Sequence, residues 1–323
     1  MGKIIILSEK TDAITTDIMT WIMFYGKEVY RINRDDANLK ILFMSKEYIK
    51  IKTSFGIIII NQGDYIWARR AAPYSIFVTQ EENEELLQRK IFQFQEQKDI
   101  WHSVYWWLIN HCKCCENPFS TIVNKINVLE IACKERLLVP DWILTSDKKE
   151  LTLFVEKHKK VAAKAFNTLN YSDNGYSMKS LTNCITSRNL IQIPDFFDNL
   201  IFQKYIDKKY ELRCFLFNEK LYTMAIFSQK DKKTRVDFRH YNDATPNRFI
   251  PFRMPKEYAN KLKRVAKKLN LFSGSFDILV DKKDNYHFLE INPVGQFGMV
   301  SFPCNYYIDR EIARYLIDQS KVK

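Results

Sequence analysis

The stretch 272–298, FSGSFDILVDKKDNYHFLEINPVGQFG, constrains this chain more than any other. Phe276–Val280 reads as a buried strand, Asp281–Asn285 as a polar turn and Tyr286–Ile291 as the returning strand. In an antiparallel hairpin the start of one strand lies beside the end of the other, so Asp277, at the start of the first, stands near Glu290 and Asn292. A period of two puts Glu290 and Asn292 on one face. Two carboxylates and an amide oxygen on a rigid sheet make a hard oxygen site of the kind Mg2+ takes, its other ligands coming from phosphates and water. Spacing alone is met equally by a hairpin with ordinary surface acids. The following loop holds Pro293, Gly295 and Gly298 in a chain of only eight glycines, which favours a ligand site.

With 323 residues the chain has room for about two domains, or three small ones. A hydrophobic content of 46% with 27% charged residues indicates a globular fold with a large core. No apolar run approaches a membrane span. Ile4–Leu7 is too short an apolar run, before polar Ser8–Lys10, for a signal peptide, so the expected compartment is the cytoplasm and no membrane partner is expected. Seven scattered cysteines argue against a disulfide framework, and the spacing within His111–Cys115 is too tight for a usual four-ligand zinc site. The net charge of +12 asks for an anionic partner: nucleic acid, a nucleotide or an acidic peptide. The lysine clusters at Lys157–Lys164, Lys204–Lys209, Lys230–Lys233 and Lys256–Lys268 read mostly as solvated faces.

From the N-terminus, Lys3–Leu7, a helix over Thr11–Tyr25 and a strand over Glu28–Ile32 make a β–α–β opening. Ile41–Met44, Tyr48–Lys52, Ile57–Ile60 and Tyr65–Ala68 read as a meander attached to it. A long helix is expected over Glu81–Ile109, with a boundary at Asn110–Pro118. Arg69 and Arg70 end a strand as a dense anion site, each guanidinium able to clamp a carboxylate or phosphate. An amphipathic helix over Thr121–Leu138 carries Lys125; a strand over Asp141–Leu144 and a helix near Asp147–Lys157 follow. In the strand Val161–Phe166, Lys164 sits among small and apolar neighbours, where a lysine is costly to bury without a fixed anion. Leu200–Ile206, Glu211–Phe217 and Leu221–Ser228 read as strands, with Glu211 and Arg213 on one face, then a basic helix over Pro255–Asn270 and a closing helix over Asn305–Ser320.

The ordered set Lys125, Lys164, Glu211, Arg213, Asp277, Glu290-Ile-Asn292-Pro293 resembles the ATP-grasp ligases over about residues 120–320. Trp67-x-Arg69-Arg70, Glu211-x-Arg213 and Asp237-x-Arg239 are similar to the ligases that macrocyclise graspetides, of the microviridin and grasp-with-spasm type. The resemblance implies an α/β (α+β) chain of ATP-grasp fold. Its parts would be an N-terminal pre-ATP-grasp α/β domain over 1–115, a central small α+β domain over 116–195 and a C-terminal antiparallel-sheet domain over 196–323. It implies ATP and two Mg2+ ions held by Asp277, Glu290 and Asn292, with Lys125 and Lys164 on the nucleotide. Gln203, Lys204, Tyr205 and Ile206 correspond to the hinge whose backbone meets adenine, although relatives often carry Glu where this chain has Lys204. Glu211 or Asp207 would take the ribose, and 170–178 matches in position a flexible loop that closes over phosphates.

The implied reaction activates an Asp or Glu side chain of a ribosomal precursor peptide as an acyl phosphate. A Thr, Ser or Lys side chain then attacks, closing an ester or amide ring. Arg213 or Arg239 would hold the acceptor carboxylate, Asp237 would act as base, and Arg69 and Arg70 would bind substrate. The partner is a peptide with a leader and an acidic core; a homodimer is left open. Two other readings stand beside it: an ATP-grasp ligase that adds free amino acids to a peptide or protein carboxylate, and a basic nucleic-acid binder without activity.

Overall fold

The computed structural model describes residues 2–71, 84–164, 170–173, 176–179, 182–231, 234, 236, 238 and 246–321. Strand β1 (Ile4–Ser8) is wholly buried, as an uninterrupted apolar run demands of a strand covered on both faces. Helix α1 (Ala13–Phe24) turns Ile18 and Ile22 inward, and β2 (Val29–Asn33) returns parallel to β1. Strands β3 (Lys40–Met44), β4 (Tyr48–Thr53) and β5 (Gly56–Asn61) form a separate antiparallel sheet. The expected four-stranded meander is corrected at its last member: β6 (Tyr65–Ala68) leaves it and pairs parallel to β1. Its four residues are all buried, the pattern of a central parallel strand rather than of an edge. Helix α2 (Glu84–His111) buries Trp101, Val104, Tyr105, Trp107 and Leu108 against this first unit, and β7 (Lys113–Cys114) adds a fourth strand beside β6. The expected boundary at 110–118 is therefore partly strand.

A 3-10 turn over Pro118–Thr121 precedes α3 (Lys125–Lys134), a helix shorter at both ends than expected. The Asn124 side chain accepts a hydrogen bond from the Asn127 N–H and so fixes its start. Strand β8 (Trp142–Asp147), helix α4 (Lys148–His158), β9 (Val161–Lys164), β12 (Asn183–Ile185) and β13 (Phe196–Lys204) build a second unit around Leu151, Val155, Val161 and Phe202. Its sheet runs in the order β12-β9-β13-β8. Between β9 and β12, β10 (Asn170–Asp173) and β11 (Tyr176–Lys179) pair as an antiparallel hairpin where a flexible loop was expected. Asn174 and Gly175 lie outside the described residues.

Strands β14 (Lys208–Phe217), β15 (Lys220–Phe227), β16 (Arg248–Pro251), β17 (Ser273–Asp281) and β18 (Tyr286–Asn292) form a five-stranded antiparallel sheet in the order β16-β15-β14-β17-β18. Alternation along β14 serves two cores. Leu212, Cys214 and Leu216 pack under α3 and α5 (Lys256–Lys268), while Phe215 and Phe217 pack with β1, α1, α6 (Gly298–Cys304) and α7 (Ile308–Lys321). Helix α6 was not expected, and α7 starts later than the single closing helix read from the sequence. Among the described residues no helix is long and apolar enough to cross a membrane.

Candidate active site

Asp277 lies mid-strand in β17, not at its start as expected, directly opposite Glu290 of β18, and Ser275 lies opposite Asn292. A bulge makes this face. The register pairs Ile278 with Phe288 and Asp277 with Glu290, leaving Leu289 as an extra residue. Phe288 and Ile291, three apart, both enter the core, whereas Leu289, Glu290 and Asn292 line the cleft. A strict period of two from Phe288 would have sent Glu290 inward with it.

Lys125 of α3 and Lys164 at the end of β9 line the same cleft as Glu290, Asn292 and Gln203. Lys125 Nζ stands 3.7 Å from Glu290 Oε2. A lysine in the first turn of a helix opposes the helix dipole, so its place follows from the acid in front of it. Burial pushes Glu290 upward, but the charges of Lys164 and Lys125 and a hydrogen bond from Asn292 outweigh this and bring it to about 2. Asn292 Nδ2 donates to Glu290 Oε1 at 3.3 Å, leaving its amide oxygen for another partner. Burial raises Asp277, and the repulsion of Glu290 adds to this; Arg213, whose Nη1 donates to Asp277 Oδ1, works against both. Three cations face two carboxylates here. The described walls thus carry a net positive charge before any metal is added, which suits a polyphosphate. The oxygen donors of Asp277, Glu290 and Asn292 also fit a hard divalent cation.

The apolar wall of the cleft comes from Ile122, Val123, Val128, Leu129, Ile201 and Leu289. Gln203 is buried, and its Oε1 has no hydrogen-bond partner among the described residues. Next to it, the N–H groups of Lys204 and Tyr205 donate to the Asp141 and Lys160 carbonyls. Those two N–H groups are thus engaged by the residues that lead into β8 and β9. Ile206 is buried and the Lys204 side chain exposed.

The site residues on β14 have more partners than the sequence discloses. Lys208, read as part of a solvated lysine face, is buried; its Nζ donates to Glu211 Oε1 at 2.7 Å and to the Val236 carbonyl. Ser228 Oγ donates to the same Glu211 oxygen at 3.0 Å. Burial nevertheless leaves the Glu211 carboxyl raised above its ordinary value. Asp207, the other candidate for ribose, is exposed and pairs with Lys282. No sequence signal marked Lys208, because its burial depends on the fold of a distant segment.

Arg69 is brought to the loop that follows Asn292, but not as an open clamp, and Arg70 stays within the first unit. Arg69 is buried, its Nη1 donating to the carbonyls of Val294 (2.6 Å) and Gly295 (3.2 Å), its Nε 3.3 Å from Asp12 Oδ2. Its role as a direct substrate ligand is corrected accordingly. Arg70 keeps some exposure and pairs with Asp12 and Glu9 at 3.0 and 2.9 Å. Asp237 and Arg239 lie outside the described residues. In the His111–Cys115 segment, the Cys112 and Cys114 thiols point at the Asn61 and Leu108 carbonyls.

No family model and no curated protein matches the sequence. Solved structures match over the whole chain. A RiPP-associated ATP-grasp ligase of Chryseobacterium gregarium, in complex with ADP and a leader and core peptide, superposes with a TM-score of 0.82 at 22% identity, covering 99% of this chain and 97% of that one. The chain has the ATP-grasp fold. The macrocyclase MdnC of Microcystis aeruginosa MRC, bound with precursor peptide MdnA, gives 0.78 at 19% identity over 98% and 99% of the two chains. The ATP-grasp ligase PsnB, with a minimal precursor, Mg and ADP, gives 0.73 at 15% over 99% and 98%. The expected fold class is met, including the antiparallel C-terminal sheet of the ATP-grasp fold.

Proposed function

We propose that the chain is an ATP-dependent ligase that closes side-chain rings in a precursor peptide. The observation that carries this reading is the convergence of Lys125 and Lys164 on Glu290, opposite Asp277 and Arg213, in a cleft with an apolar wall. Similar folds bound to ADP and to leader, core or precursor peptides support the peptide as substrate. The base of ATP would lie on the wall formed by Val128, Leu129, Ile201 and Leu289, its amino group donating to Gln203 Oε1. Glu211 would take ribose hydroxyls, and Lys125 and Lys164 the phosphates. Mg2+, in our reading two ions on Asp277, Glu290 and Asn292, would supply charge neutralisation of the triphosphate and its leaving oxygen.

Arg213 retains a buried Nε without a partner among the described residues. It is the described residue best suited to hold a substrate carboxylate near the γ-phosphate against their mutual repulsion. The carboxylate oxygen bonds to the γ-phosphorus as the bond to ADP breaks. A hydroxyl or amine of the same peptide then bonds to the acyl carbon, phosphate leaves with the bridging oxygen, and the nucleophile's proton passes to a base. The net positive chain and cleft favour an acidic core sequence. A cytoplasmic site of action and the three domain spans remain part of the same reading.

Incubating the protein with ATP, Mg2+ and a candidate peptide, with mass spectrometry and ADP assay, tests it. Loss of one water per bond with matching ADP release is expected. Gain of a residue mass from free amino acids would point to an amino-acid ligase, and no ATP turnover with any peptide would leave nucleic-acid binding.

A further inference from the structure

We infer that Arg69 is a positioning residue for the metal site, acting through the loop that follows Asn292. This rests on the metal-dependent nucleotide site proposed above. Arg69 belongs to the first unit, one residue past β6, yet its guanidinium reaches Val294 and Gly295, two and three residues beyond Asn292. It lies over the rings of Trp67 (5.8 Å) and Phe297 (5.4 Å), so the next turn of the loop is gripped as well. The same loop also lies against β17: a Cβ on Gly295 would fall 2.1 Å from Ser275 Oγ, and Ser275 is the cross-strand partner of Asn292. The loop is thus held both by Arg69 and by the strand that carries Asp277.

A second link starts from the same cluster. Glu116, half-buried beside Arg69, accepts a hydrogen bond from Ser273 Oγ at the first residue of β17. The first unit therefore grips the Asp277–Glu290 hairpin where β17 enters and where β18 leaves. Joining units does not require a buried cation, since apolar residues of similar volume often do so at no loss of stability. What a guanidinium adds is direction. Two carbonyl oxygens on one nitrogen set the path of the backbone, and with it the aim of the Asn292 amide oxygen and the spacing of Asn292 from Glu290.

The test separates metal coupling from folding and from nucleotide binding. Arg69→Lys keeps the charge beside Asp12 but loses the planar fork. Gly295→Ala displaces the same loop without touching a charge. Each is compared with wild type by binding of a fluorescent ADP analogue, first in EDTA and then with increasing MgCl2, after circular dichroism and a cooperative melt confirm folding. Affinity in EDTA should stay within about twofold, while the Mg2+ concentration for half-maximal enhancement rises about 10–100-fold, the usual cost of losing support behind a metal ligand. An unchanged Mg2+ response in the folded variants overturns the inference, as does an equal fall in binding with and without Mg2+. Should Arg69→Lys not fold, Gly295→Ala decides on the same readout. A wild-type protein that binds the analogue without any Mg2+ response would instead remove the metal-site reading itself, and this inference with it.

Discussion

Replacing Glu116 by glutamine removes a charge from the junction between the first unit and the C-terminal sheet while keeping an acceptor for Ser273 Oγ. Burial pushes the Glu116 carboxyl from an ordinary 4.5 up to about 7, against the opposing effects of the Ser273 hydrogen bond and the Arg69 charge. The folded protein therefore keeps this proton to a higher pH than the unfolded chain does. Its contribution to stability is full below about pH 4.5, declines as pH rises to about 7 and is gone above that. At about 1.4 kcal/mol per pH unit, the interval from 4.5 to about 7 amounts to about 3 kcal/mol. Glutamine does not titrate, so the variant escapes this loss. Urea unfolding of both proteins from pH 4 to pH 8 measures it: the stability difference, variant minus wild type, should grow by about 3 kcal/mol across the range. Curves that stay parallel to within about 1 kcal/mol would refute the reasoning, and would mean that water or a rearranged Arg69 solvates the ionised carboxylate.

Asp277→Asn or Glu290→Gln should abolish ADP release while leaving the circular dichroism spectrum intact, because each removes a carboxylate from the pair across β17 and β18; full turnover by either variant counts against the metal assignment. Lys164→Met should weaken binding of a non-hydrolysable ATP analogue by about 10–100-fold in calorimetry, the worth of a hydrogen bond between charged groups. Leu289→Ala should cost the same analogue about 1–2 kcal/mol of affinity, because the bulge places this side chain on the apolar wall of the cleft. An unchanged affinity would show that Leu289 does not meet the base.

Much of the fold was legible because it depends on neighbours in the chain. The apolar run at Ile4–Leu7 is a strand because such a run between polar ends must be covered on both faces, and the basic helix at 256–268 is one because its apolar residues recur at helical spacing. The Asp277–Glu290 pairing followed from one hairpin with a polar turn, a local event. The departure of β6 from its meander could not be read locally, since its partner β1 lies some sixty residues earlier.

At the site the division is the same. Sequence determined which residue types arrive near the hairpin, and local pattern was enough to bring Asp277, Glu290 and Asn292 together. Tertiary structure decided which way they face and what they meet. An extra residue at Leu289 reset the phase of β18, so Glu290 lines the cleft instead of following Phe288 into the core. Lys208 changed from a surface lysine to the buried partner of Glu211, and Arg69 from a ligand clamp to a brace on Val294 and Gly295. Propensity and periodicity act over a few residues, whereas burial and hydrogen bonding of a charged side chain are set by segments that only the folded chain brings within reach.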